Sequence, residues 1–442
     1  MNLSNYLLRY FSKNDKERIA KNFTSNLINN LINIISQFFF PVLMITIYGV
    51  ENFGLWVFLL AIPDIFYLLN LDFNSAAKTK LSILYNQKKY FKIKLYFNNF
   101  VFLNYFIFST SFPLILIGLN YIDLDLDIFK TSDKNDLKLI FYIIFFCFFL
   151  KFIIGIFECG ISYKGANYIC ENINTSFEVF SKILILIFGL ISNTLIFAAY
   201  AYLSANILKL ILFYFYYKSS CKELKLFQIK NFNFKKIILL FKLSTPYYLK
   251  SISNLLKHSY QILIIGVFFG SHIVGFISTI KTLFYFFPIR IWSIFQRTLM
   301  YEFAKLYATK NFKNLKKNFY IFIKICFLFL GVYLLITFLF GETIYTFWLN
   351  KNFNFNNLII VLLSLDLFFY ILSNSFNHIH KSINKFLDFS KLEFLLNLIL
   401  IFLILIIFKK NFEYIYIFYF NLCISIILFT YAVYKFKKDF FK

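Results

Sequence analysis

Residues 246–300 read PYYLKSISNLLKHSYQILIIGVFFGSHIVGFISTIKTLFYFFPIRIWSIFQRTLM. Two apolar segments flank the short stretch GSHIVG, and each is long enough to cross a bilayer, which takes about 20 predominantly apolar residues. Six basic residues interrupt them: Lys250, Lys257, His258, Lys281, Arg290 and Arg297. A cation at the centre of the hydrocarbon costs roughly 2.5–3.5 kcal/mol on insertion scales. Such residues therefore face a bundle interior or a wet cavity, or run their stems back to the interface.

Working outward, the whole chain has the same character. Of its 442 residues 60% are hydrophobic, with 67 Phe and 32 Tyr, and the formal net charge is +25. That composition calls for many membrane spans. Twelve are read, at 27–48, 54–73, 98–119, 137–157, 173–192, 195–216, 246–268, 276–299, 319–340, 357–376, 391–408 and 412–434. All are taken as helices, because runs of this length do not fit barrel strands and only helices or closed barrels satisfy the backbone in lipid. From Met1 to Asn26 the chain is polar and basic and does not have the apolar core of a cleavable signal peptide. The six cysteines are scattered with no CxxC pair and read as small buried apolar residues.

The loops orient the chain. Lysines and arginines concentrate in the N-terminal tail, in the connections after spans 2, 6, 8 and 10, and in the C-terminal tail, all on one side. The opposite loops are short or acidic, with Asp123, Asp125, Asp127, Asp133 and Asp136; Lys409 and Lys410 are the exception. Both termini are thus expected in the cytoplasm. Phe, Tyr, Ile, Asn and Lys are jointly abundant, so part of the lysine excess reads as codon bias, and part as a basic face toward anionic membrane lipid.

An internal repeat gives the architecture. Gly49 and Gly54 in IYGVENFGLWVF align with Gly270 and Gly275 in FFGSHIVGFIST at an offset of 221. LYNQKKYFK, from Leu84, aligns with LYATKNFKN, from Leu306, at 222. Six spans per copy make the repeat parallel, about an axis along the membrane normal. The expected fold is an all-α integral membrane protein with twelve transmembrane helices in two six-helix lobes around a central cavity. The lobes are residues 1–216 and 244–442, joined by a basic linker, 217–243.

In span 1, Asn22, Asn26, Asn29, Asn33 and Gln37 share one helix face, and in span 7 Lys250, Asn254, Lys257 and Gln261 do the same. Under the repeat offset Asn29 corresponds to Lys250, Asn33 to Asn254 and Ser36 to Lys257. The stripe is amide-rich in the first copy and cationic in the second. Span 8 adds Arg290 and Arg297, with Pro288 as an expected kink. Asp64 and Asp72 in span 2 and Asp366 in span 10 are the carboxylates to consider for ion coupling. Lys257, Arg290, Asp64 and Asp366 lie nearest mid-depth; they line a cavity, or else they neutralise one another, as Asp366 would with Lys257. Lys281 is placed near the periplasmic end and set aside. Lys151, Lys182, Lys209 and Lys324 read as snorkelling, and Glu178 with Lys182 as an ordinary i, i+4 pair.

Catalysis finds no support. The acidic loop YIDLDLDIFK reads as solvated, the four histidines show no zinc spacing with a third ligand, and there is no phosphate loop or nucleophile elbow. No metal, cofactor or nucleic-acid partner is expected.

The segment from Lys21 to Ser82 resembles the first two helices of polysaccharide flippases of the O-antigen type, relatives of multidrug exporters and lipid II flippases. The matching parts are a polar lead-in, the turn with Gly49, Gly54 and Trp56, and the exit with Asp72, Ala76 and Leu81; where such proteins often carry glycine, this chain has Asn74. The resemblance implies a transporter that moves an undecaprenyl-diphosphate-linked oligosaccharide to the periplasmic leaflet by alternating access. It also implies a polysaccharide polymerase and chain-length machinery as partners, and proton or sodium coupling. The residues fit independently. A diphosphate needs cations, for which Arg290, Arg297, Lys250 and Lys257 are the candidates; sugar hydroxyls need amides, for which Asn26, Asn29, Asn33, Gln37, Asn254 and Gln261 are. Three rivals remain: a multidrug exporter, a membrane polymerase, ligase or glycosyltransferase acting on the same lipid-linked sugars, and a flippase for another lipid-linked glycan.

Overall fold

The computed structural model describes residues 13–66, 73–119, 129, 133–221, 223–224, 234–308, 311–349, 356–383, 385–410 and 412–440. Among them every regular element is a helix. In order these are α1 (Lys13–Tyr48), α2 (Val50–Phe66), α3 (Phe73–Asn86), α4 (Tyr90–Leu119), α5 (Lys134–Ser162), α6 (Asn167–Ile191) and α7 (Leu195–Ser220). Then come α8 (Phe234–Leu255), α9 (Gln261–Lys281), α10 (Phe287–Ala308), α11 (Phe312–Leu349), α12 (Asn357–Phe376), the short α13 (His378–Ser382), α14 (Leu387–Phe408) and α15 (Tyr416–Phe440). Nine helical stretches among the described residues are long and apolar enough to cross a membrane. One of them, Thr245–Gln296, holds two of the expected spans, because the chain breaks at Gly270 (φ 81°). The protein is an all-α, multi-pass membrane protein. Its large apolar side chains are widely exposed, as lipid contact requires; Phe347 is 87% exposed and Leu328 70%.

Helix α2 is described to Phe66 and the amphipathic helix α3 from Phe73, while residues 67–72 of the second expected span lie outside the described residues. Lys78, expected in the loop after that span, lies on α3 and pairs with Glu158 (2.7 Å). Of the expected linker, residues 217–220 complete α7 and residues 234–243 begin α8.

Two compact units emerge. The first comprises Met1–Ser36, Leu69–Asp123 and Asn135–Ser244; the second comprises Gln37–Leu68, Leu124–Lys134 and Thr245–Lys442. In the first unit an apolar cluster centred on Phe97, Phe100, Cys159, Phe213 and Tyr217 packs α3, α4, α5 and α7 together. The Tyr217 hydroxyl, buried there, donates to the Leu224 carbonyl (2.7 Å) and so holds the end of α7. The second unit is organised by the hairpin that α9 makes about Gly270. Beyond it, Pro288 leaves the Phe284 carbonyl without its helical donor. The Tyr333 hydroxyl takes that carbonyl at 2.6 Å, so the expected irregularity is built in and satisfied. A π turn, Thr282–Phe286, lies just before it, and another, Leu256–Tyr260, lies between α8 and α9.

The repeat is visible at atomic level. Gly49 and Gly270 both adopt a left-handed backbone, φ 85° and 81°, which a residue with a Cβ rarely tolerates. Lys89 N donates to Leu84 O (3.0 Å) as Asn311 N does to Leu306 O (2.9 Å). The ring pairs Tyr85–Tyr90 and Tyr307–Phe312 have centroids 6.2 and 5.9 Å apart, both edge-on. Within the second unit, α2 and α9 cross at their repeat-related glycines. A Cβ on Gly54 would stand 1.8 Å from the Ser271 carbonyl oxygen, and one on Gly275 would stand 3.0 Å from the Val50 carbonyl oxygen. Val50 and Ser271 are themselves counterparts under the repeat, so the contact is reciprocal.

Gly54→Ala should therefore destabilise the detergent-solubilised protein by more than the ~1–3 kcal/mol of an ordinary overpacked site, read as a lowered Tm, because the obstacle is backbone. Gly331→Ala, inside α11 with nothing within 4 Å of the added carbon, serves as the control and should not lower Tm. An unchanged Tm for Gly54→Ala would contradict the close crossing.

Candidate functional site

The polar interior of the second unit is built on two turns of unusual helix. Lys257 lies in the first π turn and Tyr285 in the second, and the hairpin at Gly270 brings them together: the Lys257 ammonium stands 5.4 Å from the Tyr285 ring centre. Lys257 is 5% exposed, and it donates to Asp366 Oδ1 (2.9 Å) on α12 and Ser425 Oγ (3.2 Å) on α15. Ser425 also donates to the same carboxylate oxygen, closing a triangle. Ammonium and carboxylate are each too costly to bury alone, so each fixes the other.

Helix α12 supplies a second component one turn on. The Tyr370 ring is 4.6 Å from the Lys257 ammonium and 5.5 Å from that of Lys250, so one aromatic face system serves two cations. Lys250 in turn donates to Glu393 Oε1 on α14. Glu393 is 2% exposed, and Lys250 is the partner of its first oxygen; Oε2 is without a hydrogen bond. Deeper along the hairpin, Gln261 and Asn421 exchange amide hydrogen bonds of 2.9 and 3.1 Å, and Lys281 donates to Gln261 Oε1 (3.2 Å). At the α13 corner Lys381 donates to Asn374 Oδ1 (2.8 Å). Burial, with repulsion from Lys250 added, pushes Lys381 down to about 7.

The first unit carries a smaller polar set. Asn29 Nδ2 donates to Asn172 Oδ1 (2.8 Å) on α6, and Ser25 donates to the same oxygen. Glu158 on α5 accepts from Lys78 on α3 and from Asn174 on α6, both at 2.7 Å. The Asn29–Asn172 and Lys250–Glu393 contacts have the same sequence separation, and the repeat offset relates them at both ends. The helices of the first and fifth expected spans of each copy, α1 with α6 and α8 with α14, are therefore bridged at one register, by two amides in the first copy and by an ion pair in the second.

Of the residues singled out from sequence, Lys250, Lys257, Gln261 and Asp366 come together in the second unit. Asn254 does not join them; it is exposed, while its neighbour Ser253 is fully buried. Asn29 is buried in the first unit, where Asn26 and Asn33 are half-buried; Gln37 is half-buried in the second. Arg290 is half-buried on α10. The side chains of Arg297 and Asp64, and Asp72 as a whole, lie outside the described residues. Lys281, set aside as a periplasmic-end residue, is 4% exposed and joins the interior network. His258 packs its ring on Tyr285 and Phe286. Glu178 and Lys182 do pair (3.1 Å), and Lys182 also donates to Ser36 (3.0 Å). Glu393, Tyr370, Asn421 and Ser425 escape the sequence reading. Glu393 has a signal, since it is the repeat counterpart of Asn172; Tyr370 lies one turn from Asp366.

No family model matches the chain, and no curated protein matches it. Solved structures do. A MOP superfamily transporter from Pyrococcus furiosus, described as having a binding pocket of reverse polarity, superposes with a TM-score of 0.65 at 11% identity, covering 100% of this chain and 99% of that one. A MATE transporter of Vibrio cholerae gives 0.64 at 13%, covering 96% and 98%. The lipid II flippase MurJ, in an inward closed conformation, gives 0.62 at 18%, covering 94% and 89%. The chain has the fold of the MOP superfamily transporters, which carries twelve transmembrane helices in two lobes.

Proposed function

We propose that the protein is a flippase that moves an undecaprenyl-diphosphate-linked oligosaccharide from the cytoplasmic to the periplasmic leaflet by alternating access, for surface polysaccharide synthesis. The observation that carries this reading is the charge balance of the second unit. Lys250, Lys257 and Lys281 are enclosed against two carboxylates, Asp366 and Glu393, and both carboxylates are already held by lysines. An anionic head group is the cargo such an interior accepts; a cationic drug needs an acid that is not taken. Pocket polarity varies within this fold, as the Pyrococcus furiosus structure is described as showing, and MurJ is a flippase of a lipid-linked substrate by name.

In this reading Arg290 and Arg297 contact the diphosphate, for which the guanidinium fork is suited. Lys250 and Lys257 set the positive potential of the wall behind them. Asn26, Asn33 and Asn254 face the sugar hydroxyls. Both termini lie in the cytoplasm of a bacterial inner membrane, and the polymerase and chain-length machinery take the product. Outward movement of about two negative charges down an inside-negative potential of about 100 mV is favoured by roughly 4–5 kcal/mol, so ion coupling adds to a drive that already exists. Asp366 is engaged by Lys257, which leaves Asp64 and Asp72 as the carboxylates for proton or sodium coupling. The rival reading is a multidrug exporter of the same fold.

Arg290→Ala is expected to abolish complementation of a flippase-deficient strain while the protein still accumulates in the membrane; normal surface polysaccharide from that variant would sink the assignment. Lys257→Ala, which leaves Asp366 buried and uncompensated, should cost about 3–5 kcal/mol of stability. Lys257→Met combined with Asp366→Leu should recover most of that, measured as Tm in detergent. A double variant no more stable than Lys257→Ala would show that the pair is not what the carboxylate needs.

A further inference from the structure

Helix α12 sets three lysines of the second unit in order. Asp366, Tyr370 and Asn374 follow at intervals of four, on one helix face and about 6 Å apart along the axis. Asp366 accepts from Lys257 (2.9 Å). The Tyr370 ring stands 4.6 Å from the Lys257 ammonium and 5.5 Å from that of Lys250. Asn374 Oδ1 accepts from Lys381 (2.8 Å). Asn374 is 8% exposed, and its Nδ2 donates to the Tyr370 carbonyl (2.9 Å), which turns Oδ1 to the lysine. At the repeat offset of 221 the three positions are Phe145, Phe149 and Ile153, so the scaffold itself does not require a polar stripe there.

Lys381 differs from the other two lysines. Lys257 is paired with Asp366 and Lys250 with Glu393, whereas Lys381 donates to a neutral amide and stands in no ion pair among the described residues. Asp388 and Asp439, at the same end of the unit, are taken by Lys435 (2.7 Å) and His380 (2.9 Å). The charged groups that act on Lys381 are Lys250 from α8, which repels it, and Glu393 from α14, which attracts it. Lys381 and Lys250 are half-buried, while Lys257 is 5% exposed, so an anion reaches the first two without entering the Lys257 layer. With one N–H spent on Asn374, Lys381 keeps two for phosphate oxygens, and no ion pair breaks when it uses them. We propose that Lys381, presented by Asn374 and flanked by Lys250, binds the diphosphate of the lipid-linked substrate at an outer station, before the head group reaches Arg290 and Arg297. The proposal rests on the flippase reading, which sets this end of α12 at the cytoplasmic face.

The test is equilibrium binding of a fluorescent farnesyl-diphosphate-linked N-acetylglucosamine to the purified full chain in detergent. Both phosphates of this probe are esterified and keep their charge across the range used. Wild type should bind about tenfold more weakly at about pH 8.5 than at about pH 6.5, because burial and Lys250 hold Lys381 down at about 7 and the cation is the binding form. His378, pushed down to about 4 by burial, and His380, also lowered by burial, titrate below that range. Lys381→Met should bind at least about tenfold more weakly at the lower pH, the loss of a charge-assisted hydrogen bond. Lys381→Arg should bind well and lose the pH dependence, since a guanidinium stays charged. Lys385→Met, the same charge lost from an exposed neighbour, should bind as wild type does. Wild-type affinity in Lys381→Met, or equal weakening in Lys385→Met, overturns the outer station and leaves the flippase reading standing. No binding by wild type overturns both. If Lys381→Met does not fold, a pH dependence that persists in Lys381→Arg overturns the proposal.

Discussion

A charge cannot stand alone in hydrocarbon, and the second unit is arranged around that constraint. Lys257 and Asp366 could each be carried through a bilayer only at a cost of several kcal/mol. Held 2.9 Å apart, with Ser425 closing the triangle and Tyr370 and Tyr285 covering the ammonium, they become a fixed part of the interior. The two π turns serve the same end. Each falls where a residue of the network must point inward, Lys257 from one and Tyr285 from the other, and helix defects of this kind recur at functional positions. The hairpin at Gly270 then makes the two turns neighbours.

The repeat shows what has changed between the copies and what has not. The backbone devices are the same: left-handed Gly49 and Gly270, the turn at Leu84 and at Leu306, the edge-on ring pair that follows. The helix bridge is in the same place too, with equal sequence separation in both copies. Its chemistry differs. Asn29 and Asn172 meet as neutral amides, whereas Lys250 and Glu393 meet as ions, and the ionic copy is also the one with the Lys257–Asp366 pair and Lys281. One scaffold thus holds a neutral bridge between these helices in the first copy and an ionic bridge in the second.

Much of this is legible in the sequence, for identifiable reasons. Apolar runs of bilayer length have few alternatives to spans, so all twelve expected spans overlap helices. The two glycine pairs reveal the repeat because only glycine suits their backbone and their close crossing. Mutual neutralisation of Lys257 and Asp366 is readable as an option from their depth. Three things are not legible. The π turns carry no local signal, so Lys250, Asn254 and Lys257 read as one stripe, while Asn254 is exposed. Counting from the loop sets Lys281 at the periplasmic end, and counting cannot show that a hairpin turns it inward to Gln261. Glu393 sits at the start of an expected span, two residues after the loop-counted Lys391, and escapes the reading there, although its repeat counterpart Asn172 points to it.

The central claim, that this interior serves an anionic lipid-linked sugar, is tested most directly by purified protein in liposomes loaded on one leaflet with a fluorescent undecaprenyl-diphosphate-linked oligosaccharide. Transbilayer movement is read as the fraction reachable by an impermeant reagent. The account predicts protein-dependent movement of that lipid, accelerated by a potential that drives negative charge, and no transport of a cationic dye by the same preparation. Dye transport without lipid movement would contradict it and identify a multidrug exporter instead.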